Sequence, residues 1–360
     1  HKSIDKKFLF SVSYYKGVIT MCTGIGIRSK QGNSYWGRTQ DFEQEFEYAG
    51  MKIPSGTSIE STYTPFITKC AVMGVAWAKD VHKNPVILDG INEYGICGGS
   101  FYFDHFFRYV SKKEIDDSNK IALRGEELVT WILTQYRSLD EIINSLNSDL
   151  GIVNEPGPMM GMSVPQHAVF SDETGRSIVV EPSISNGFKI FENTVGVFTN
   201  APTFDWHLNN LKAHLERSTN RKYLYDNNEA VNNVGLDENI SGLLDIPSDY
   251  KPESRFLRAA YAKLMSMPVD DGNAINEVFQ LLSMENTPKG VLRISVDDEM
   301  LVPWTQYTSA YDISNKDLYA FSYDNHNLKV LHFGNPDEWS HVRYFDFVLK
   351  QTYEPFEEEL

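Results

Sequence analysis

The chain has 360 residues, of which 41% are hydrophobic and 13% aromatic, so it can bury a sizeable core in one large domain or two ordinary ones. Its formal net charge of −16 argues against nucleic acid and anionic membrane surfaces as partners. No apolar run approaches the roughly 20 residues that a membrane-spanning helix needs. We interpret the three cysteines, Cys22, Cys70 and Cys97, as free thiols, which favours a reducing compartment such as the bacterial cytoplasm.

Residues 1–21 come before the first predicted strand. Lysines precede the apolar run Phe8–Val12, a pattern that is typical of a secretory signal. Tyr14 and Tyr15 then interrupt the run, and no small-residue cleavage site follows. We expect residues 1–21 to be a propeptide or a vector-derived segment before a start at Met21, with a secretory leader as the alternative. Residues 22–360 are expected to form a single domain.

The next segment has the pattern of a β-hairpin. Ile25 and Ile27 alternate with small residues, and this period of two predicts a strand. The sequence Gln31-Gly32-Asn33 has the composition of a turn, and a second strand is predicted to begin at Ser34.

The register of this hairpin decides which side chains meet at its open end. If the turn is centred on Gln31 and Gly32, Cys22 lies opposite Asp41, and Arg38 lies three residues earlier on the returning strand. The hairpin would then bring a thiol, a carboxylate and a guanidinium together.

Cys22 is the candidate nucleophile. A thiol attacks as its thiolate and needs a base or a cationic neighbour to reach that form. A free α-amino group has a pKa of about 7.7–8.0, close to about 8.5 for a thiol, so Cys22 would carry its own base if the chain began there. Asp41 would hold that amine, and Arg38 would favour negative charge nearby. The alternative is that Cys22 is an ordinary small buried residue, as free cysteines often are.

Strands dominate the first hundred residues, and helices interrupt them later. Further strands are predicted at 71–77, 85–90, 96–103, 168–170, 177–181, 188–192, 196–199, 306–311, 318–323 and 328–333. Helices are predicted at 125–136, 138–146 (opened by the capping box Ser138–Glu141), 205–217, 255–265, 274–282 and, as a closing element, 340–349.

This order of elements predicts an α+β protein. Blocks of strands separated by blocks of helices favour antiparallel sheets covered by helices, whereas a βαβ protein would alternate strictly. The order fits a four-layer αββα sandwich with two sheets face to face.

Two histidines and a glycine pair are weaker candidates for a site. His207 and His214 are seven residues apart on one predicted helix, but a metal site needs a third ligand, so we interpret them as surface histidines. The pair Gly24 and Gly26 precedes neither a helix nor a Lys-Ser/Thr sequence, which argues against a phosphate-binding loop. Neither a metal nor a cofactor is predicted.

Asn200 and Arg255 each allow two interpretations. Asn200 lies where a strand ends before Pro202, so it is either a turn residue or an amide donor aimed at an oxyanion. Arg255 opens a predicted helix, where a cation is unfavourable against the helix dipole, so it has either a specific partner or an exposed side chain.

Several segments together resemble the choloylglycine hydrolase family of N-terminal-nucleophile (Ntn) hydrolases, which includes the conjugated bile salt hydrolases and the penicillin V acylases. The resemblance runs from Cys22 to about Phe333 and implies the αββα Ntn-hydrolase fold. The segments that carry it are Cys22-Thr23-Gly24, Gly37-Arg38-Thr39-Gln40-Asp41-Phe42, Asp89-Gly90-Ile91-Asn92-Glu93, Val197-x-Thr199-Asn200-x-Pro202, Trp206-His207, Ser254-Arg255-Phe256-x-Arg258-Ala259-Ala260-Tyr261, Pro288-Lys289-Gly290 and Tyr307-Thr308-Ser309-Ala310.

The resemblance implies a role for each matching residue. Cys22 resembles the nucleophile, and Arg38 and Asp41 resemble the pair that orients it. Asn200 resembles the side-chain donor to the oxyanion, and Arg255 is similar to the arginine that joins the catalytic network.

Two further positions bear on substrate choice. Tyr102 falls where the family has its other oxyanion contributor, acting through its backbone N–H; bile salt hydrolases usually carry Asn there and penicillin V acylases Tyr. Gln40 departs from the apolar residue that lines the acyl pocket in relatives, so we expect it to contact substrate.

The resemblance implies a cysteine amidase that hydrolyses a small-molecule linear amide and assembles as a homotetramer. Tyr102 favours a penicillin V acylase-like enzyme, with bile salt hydrolase or acyl-homoserine lactone acylase as alternatives. A hypothesis from a different class is a non-catalytic binding protein on the same fold.

Overall fold

The computed structural model describes residues 21–61, 63–77, 85–103, 105, 106, 108–155, 163–184, 187–217, 243, 245–296, 298–347 and 350–355. The predicted leader, up to residue 20, lies outside the described residues.

The strands carry most of the architecture. They are β1 Thr23–Arg28, β2 Ser34–Phe42, β3 Tyr48–Ile53, β4 Ser58–Ile59, β5 Phe66–Ile67, β6 Val72–Trp77, β7 Ile87–Asn92, β8 Cys97–Tyr102, β9 Ile121–Leu123, β10 Leu150–Ile152, β11 Gln166–Ser171, β12 Ser177–Pro182, β13 Phe188–Glu192, β14 Val197–Phe198, β15 Ile294–Val296, β16 Glu299–Leu301, β17 Trp304–Asp312, β18 Asp317–Ser322, β19 Asn325–His332 and β20 Arg343–Phe345.

The helices are α1 Lys112–Asp117, α2 Leu128–Gln135, α3 Leu139–Asp149, α4 Phe204–Arg217, α5 Pro252–Met265 and α6 Asp271–Ser283. Ser138 caps α3 as predicted, because its side chain accepts a hydrogen bond from the Glu141 backbone N–H. None of the helices in the described part of the chain has both the length and the apolar character needed to cross a bilayer.

Two antiparallel sheets form the centre of the fold. The six-stranded sheet has the order β14-β1-β2-β17-β18-β19, and the eight-stranded sheet has the order β13-β12-β11-β8-β7-β6-β3-β20. Helices α5 and α6 pack on the first sheet, and α2 and α3 pack on the second. One apolar cluster joins the two sheets to α5 and α6, and a second lies between the eight-stranded sheet and α2 and α3. The predicted αββα sandwich is confirmed.

The first hairpin forms as predicted, but its register is one residue away from the predicted one. Thr23 pairs with Thr39 and Gly24 with Arg38, so Cys22 lies at the level of Gln40, not of Asp41. The turn is longer than predicted: the Ser29 N–H donates to the Asn33 carbonyl at 3.0 Å. Gly32 adopts a φ of +92°, which glycine reaches without strain, and this extra turn residue shifts every pair.

The predicted closing helix at 340–349 is wrong. Residues Arg343–Phe345 form β20, which pairs antiparallel with Gly50–Lys52 of β3. The edge of the sheet has backbone N–H and C=O groups without a strand partner, and residues 343–345 form hydrogen bonds with them. A local sequence pattern does not reveal that such an edge is nearby. Strand β3 itself was also not predicted.

Candidate active site

Cys22 lies immediately before β1, with only 2% of its surface exposed. Its backbone N–H donates to Asn200 Oδ1 at 2.8 Å. The sulfur lies 3.7 Å from Gln40 Oε1 and 4.0 Å from the Asp41 carbonyl oxygen. Cys22 therefore contacts both the end of β2 and the residue that follows β14 by two positions.

Arg255 connects the chain around Cys22 to Asn200. Arg255 is the fourth residue of α5, and its side chain is fully buried. The interpretation of Arg255 as an exposed arginine is therefore wrong. Nη1 donates to the Cys22 carbonyl at 2.5 Å and to Thr23 Oγ1 at 2.7 Å, and Nη2 donates to Asn200 Oδ1 at 2.8 Å. These acceptors compensate the cost of a buried cation near a helix N-terminus.

Arg38 reaches the thiol through Gln40. Arg38 is fully buried on β2, where Nη1 donates to the Ser100 carbonyl at 2.5 Å and Nη2 donates to Gln40 Oε1. Its guanidinium also stacks 4.5 Å from the centre of the Phe101 ring. Because the Gln40 Oε1 lies against both groups, the amide bridges the guanidinium and the sulfur.

The Asp41 carboxyl is buried beside Cys22 and only partly satisfied. Thr287 Oγ1 lies 3.5 Å from Oδ2. Oδ1 has no hydrogen-bond partner among the described residues. Burial raises the pKa of Asp41 to about 7, against the opposing charge of Arg255.

Asn200 is the centre of the network, so the interpretation as an isolated turn residue does not describe it. Its Oδ1 accepts from both Cys22 and Arg255, and its Nδ2 donates to the Tyr102 carbonyl at 2.9 Å. Tyr102 ends β8 in the eight-stranded sheet, and Asn200 follows β14 in the six-stranded sheet. The amide therefore joins the two sheets beside the thiol.

Two buried histidines hold the backbone around Asn200. His167 Nε2 donates to the Thr199 carbonyl at 3.0 Å, and His207 Nε2 donates to the Asn200 carbonyl at 2.9 Å. His207 is fully buried and stacks on Phe256, so the interpretation of this residue as a surface histidine is wrong. Burial lowers the pKa of His207 to about 4, and the imidazole is therefore neutral near pH 7.

A pocket of about 400 Å³, part of it open to solvent, adjoins the thiol. Its lining is mostly apolar and aromatic, with three polar side chains, and comprises Cys22, Gln40, Phe42, Phe46, Trp77, Leu88, Ser100, Tyr102, Val164 and Gln166. This composition is typical of a site for a small organic ligand. Asp41, Asn200 and Arg255 are not among the residues that line the pocket.

The electrostatics of the site depend strongly on burial. Burial raises the pKa of the Cys22 thiol, and the nearby Arg38 guanidinium offsets part of that rise. With a peptide bond before Cys22, the thiol is therefore the neutral form near pH 7. A reactive form needs a base beside the sulfur.

Asp89, which was noted only as part of a motif, organises the space between the sheets. It lies on β7 and accepts hydrogen bonds from the side chains of Tyr307, Ser309 and Tyr311 on β17. The pocket aromatics Phe46 and Trp77 were also missed, because no local pattern distinguishes a pocket wall from a core. Within the described residues, no group of three or more His, Cys, Asp or Glu side chains could hold a metal ion.

Comparison with known proteins agrees with this geometry. Residues 22–337 match the family described as linear amide C–N hydrolases, choloylglycine hydrolase family. A bile salt hydrolase/transferase of Clostridium perfringens is 30% identical over 86% of this chain and 92% of its own length. A conjugated bile acid hydrolase of Lactobacillus acidophilus is also 30% identical, over 86% of this chain and 95% of its own length.

Solved structures show the same fold. A mutant of the conjugated bile acid hydrolase from Clostridium perfringens superposes with a TM-score of 0.77 at 25% identity, covering 93% of this chain and all of that one. The penicillin V acylase of Agrobacterium tumefaciens superposes with a TM-score of 0.65 at 18% identity, covering 87% of this chain and 86% of that one. The chain belongs to the choloylglycine hydrolase family of linear amide C–N hydrolases.

Proposed function

We propose that this enzyme is an N-terminal-cysteine amidase whose preferred substrates are conjugated bile salts, in which a bulky apolar acyl group is joined to glycine or taurine. The observation that carries the proposal is the position of Cys22, which lines an aromatic pocket while its backbone nitrogen is bound to Asn200. The relatives at 30% identity are bile salt hydrolases by name, which favours this substrate class over penicillin V.

The catalytic step requires that the chain begin at Cys22. The freed α-amine takes the thiol proton, and Asn200 Oδ1 and the unpartnered Asp41 Oδ1 are acceptors suited to orienting that amine. Residues 1–21 are then a segment whose removal creates the base. The fully buried Arg255 keeps Asn200 and the Cys22 carbonyl in register during the reaction.

The reaction proceeds by acyl transfer. The Cys22 thiolate attacks the amide carbonyl, and the resulting oxyanion accepts hydrogen bonds from Asn200 Nδ2 and the Tyr102 backbone N–H. The α-ammonium gives its proton to the leaving amine as the carbon–nitrogen bond breaks, which leaves a thioester on Cys22. Water, deprotonated by the same amine, then releases the acid and regenerates the thiol.

Penicillin V is the second candidate substrate. Tyr102 lines the pocket at the position where penicillin V acylases carry tyrosine, and the surrounding aromatic side chains suit a phenoxyacetyl group. The two substrates differ in the acyl group and in the leaving amine, and the pocket wall acts on the acyl group.

The test combines intact mass with turnover of glycocholate and penicillin V. We expect active protein to begin at Cys22 and to prefer glycocholate. Cys22→Ala should abolish turnover, whereas Cys70→Ala, which removes a buried thiol that contacts the Tyr136 carbonyl instead, should retain it. Turnover by Cys22→Ala would overturn the mechanism, and a correctly processed but inactive wild type would favour the binding-protein hypothesis.

A further inference from the structure

Three buried polar side chains lie close to the aromatic wall of the pocket, and one of them, Gln40, also lines the pocket. Gln40, Tyr48 and Gln306 are each less than one-tenth exposed, at 9%, 6% and 6%. Such groups are costly to bury unless they satisfy one another. Arg38 donates to Gln40, and a separate chain of hydrogen bonds runs from Tyr48 through Gln306.

The direction of these hydrogen bonds is fixed by chemistry. Arg38 can only donate, so Gln40 turns its Oε1 towards Arg38. The Tyr48 hydroxyl donates to Gln306 Oε1 at 2.9 Å.

Gln306 ends the chain on the backbone of the pocket wall. Its Nε2 donates to the carbonyls of Phe42 at 3.0 Å and Gln44 at 2.6 Å. Its Oε1 accepts from the Phe46 N–H at 3.2 Å, in addition to Tyr48. The residue lies at the irregularity of β17 between Thr305 and Tyr307, where the register to β2 shifts.

The backbone of the segment held by Gln306 lies outside any strand or helix. It connects β2, in the six-stranded sheet, to β3, in the eight-stranded sheet, and residues 43–47 belong to no strand or helix. The Gln306 side-chain amide therefore forms the backbone hydrogen bonds that a neighbouring strand would otherwise form with this connecting segment. Phe42 and Phe46, whose ring centres are 5.0 Å apart, project from the segment into the lining of the pocket.

We propose that Tyr48 and Gln306 are positioning residues that set the acyl-group specificity of the enzyme, by fixing the wall formed by Phe42 and Phe46. This inference rests on the proposed function, because it assigns that wall to the acyl group. A bulky, rigid acyl group fills the pocket and meets the fixed rings, whereas a small one needs less of the wall. Loosening the wall therefore changes discrimination between acyl groups more than it changes the chemistry at Cys22.

The test uses variants that remove links of the chain away from Arg38 and Cys22. Tyr48→Phe deletes one hydroxyl without changing the ring, and Gln306→Met removes all four hydrogen bonds of the amide at similar volume. Tyr136→Phe is the matched control, because its buried hydroxyl donates to Asp149 at 2.9 Å on the far side of the eight-stranded sheet. If Gln306→Met fails to fold, Tyr48→Phe alone decides the question.

Two measurements are made on each protein: kcat and KM for glycocholate and for a small N-acyl glycine such as phenylacetylglycine, and the calorimetric affinity for cholate and phenylacetate, which needs no turnover. We expect the preference for the bulky over the small acyl group to fall by roughly 3- to 10-fold in Tyr48→Phe and further in Gln306→Met. The change should lie in KM and in acid affinity, with kcat affected less. Tyr136→Phe should keep the wild-type preference within about twofold.

The outcomes separate this inference from the proposed function. Wild-type turnover with a preference that Tyr48→Phe and Gln306→Met leave unchanged would overturn the inference alone. An equal decrease of kcat for both acyl groups would also overturn the inference, because that result would indicate general damage to the active site. If the wild type turns over neither amide, the proposed function fails. The affinities for cholate and phenylacetate then still decide whether the wall selects acyl groups. The inference is overturned if the variants keep the wild-type selectivity between the two acids, or if neither acid binds.

Discussion

Replacing Asn200 with aspartate separates the roles of the two polar atoms of its amide. The substitution keeps an oxygen at Oδ1, which accepts from the Cys22 N–H and from Arg255 Nη2, each at 2.8 Å. It removes the Nδ2 donor, which lies 2.9 Å from the Tyr102 carbonyl, and puts an acceptor oxygen there. The scaffold function of Asn200 is thus largely preserved, while the donor function is lost.

The expected magnitudes differ sharply between the two roles. Loss of an oxyanion donor lowers kcat by about 100- to 1,000-fold. An ion pair to Arg255 would compensate part of the new charge, and the unsatisfied contact with the Tyr102 carbonyl should cost about 1–3 kcal/mol of folding stability. If Asn200 acts only as a scaffold, kcat should fall less than about tenfold.

The assay is steady-state turnover of glycocholate, with urea unfolding as the check on stability. Asn193→Asp is the matched control, because Asn193 is a buried asparagine that accepts from the Gly196 N–H at 2.8 Å and donates to the Val197 carbonyl at 3.2 Å. It should lose stability without the large loss of kcat. A folded Asn200→Asp enzyme with kcat within tenfold of wild type would refute the assignment of the oxyanion donor.

Two predictions concern buried charge elsewhere. Burial raises the pKa of Glu181 to about 8 from an ordinary 4.5, so the folded chain holds a proton that the unfolded chain loses, and stability should fall as the pH rises through this range. Glu181→Gln should make that fall in urea midpoints smaller; an unchanged pH profile would contradict the prediction. Arg258→Met leaves the fully buried Glu285 without its partner at 2.6 Å, so it should lower the unfolding free energy by about 3–5 kcal/mol. The control Lys113→Ala removes an exposed ion pair with Asp117 and should lower it by at most about 0.5 kcal/mol. Equal losses of unfolding free energy would refute this prediction.

The first hairpin shows how far sequence patterns reach. Alternation of Ile25 and Ile27 predicted a strand, and the glycine-containing turn predicted the hairpin, because both signals are local. The register depended on one residue in the turn, and Gly32 fits either turn length. The predicted partner of Cys22 was therefore wrong by one position, although the residues of the site still meet.

The segment after residue 340 shows the opposite case. Its local pattern favoured a helix, but Arg343–Phe345 pairs with β3 because the sheet edge provides hydrogen-bond partners. His207 is a similar case, since an isolated histidine on a helix suggests a surface position. Its burial follows from the stacking on Phe256 and the hydrogen bond to the Asn200 carbonyl, both of which need the assembled core.

The sequence alone determined the family, the order of strands and helices, and the candidate residues Cys22, Arg38, Asp41, Asn200 and Arg255, because these follow from local patterns and from motifs with recognisable chemistry. Only the tertiary structure decided how they connect. Cys22 and Asn200 are separated by 178 positions, and Tyr48 and Gln306 by 258. Contacts at such separations are set by the packing of one sheet against the other, which leaves no periodic signal in either segment.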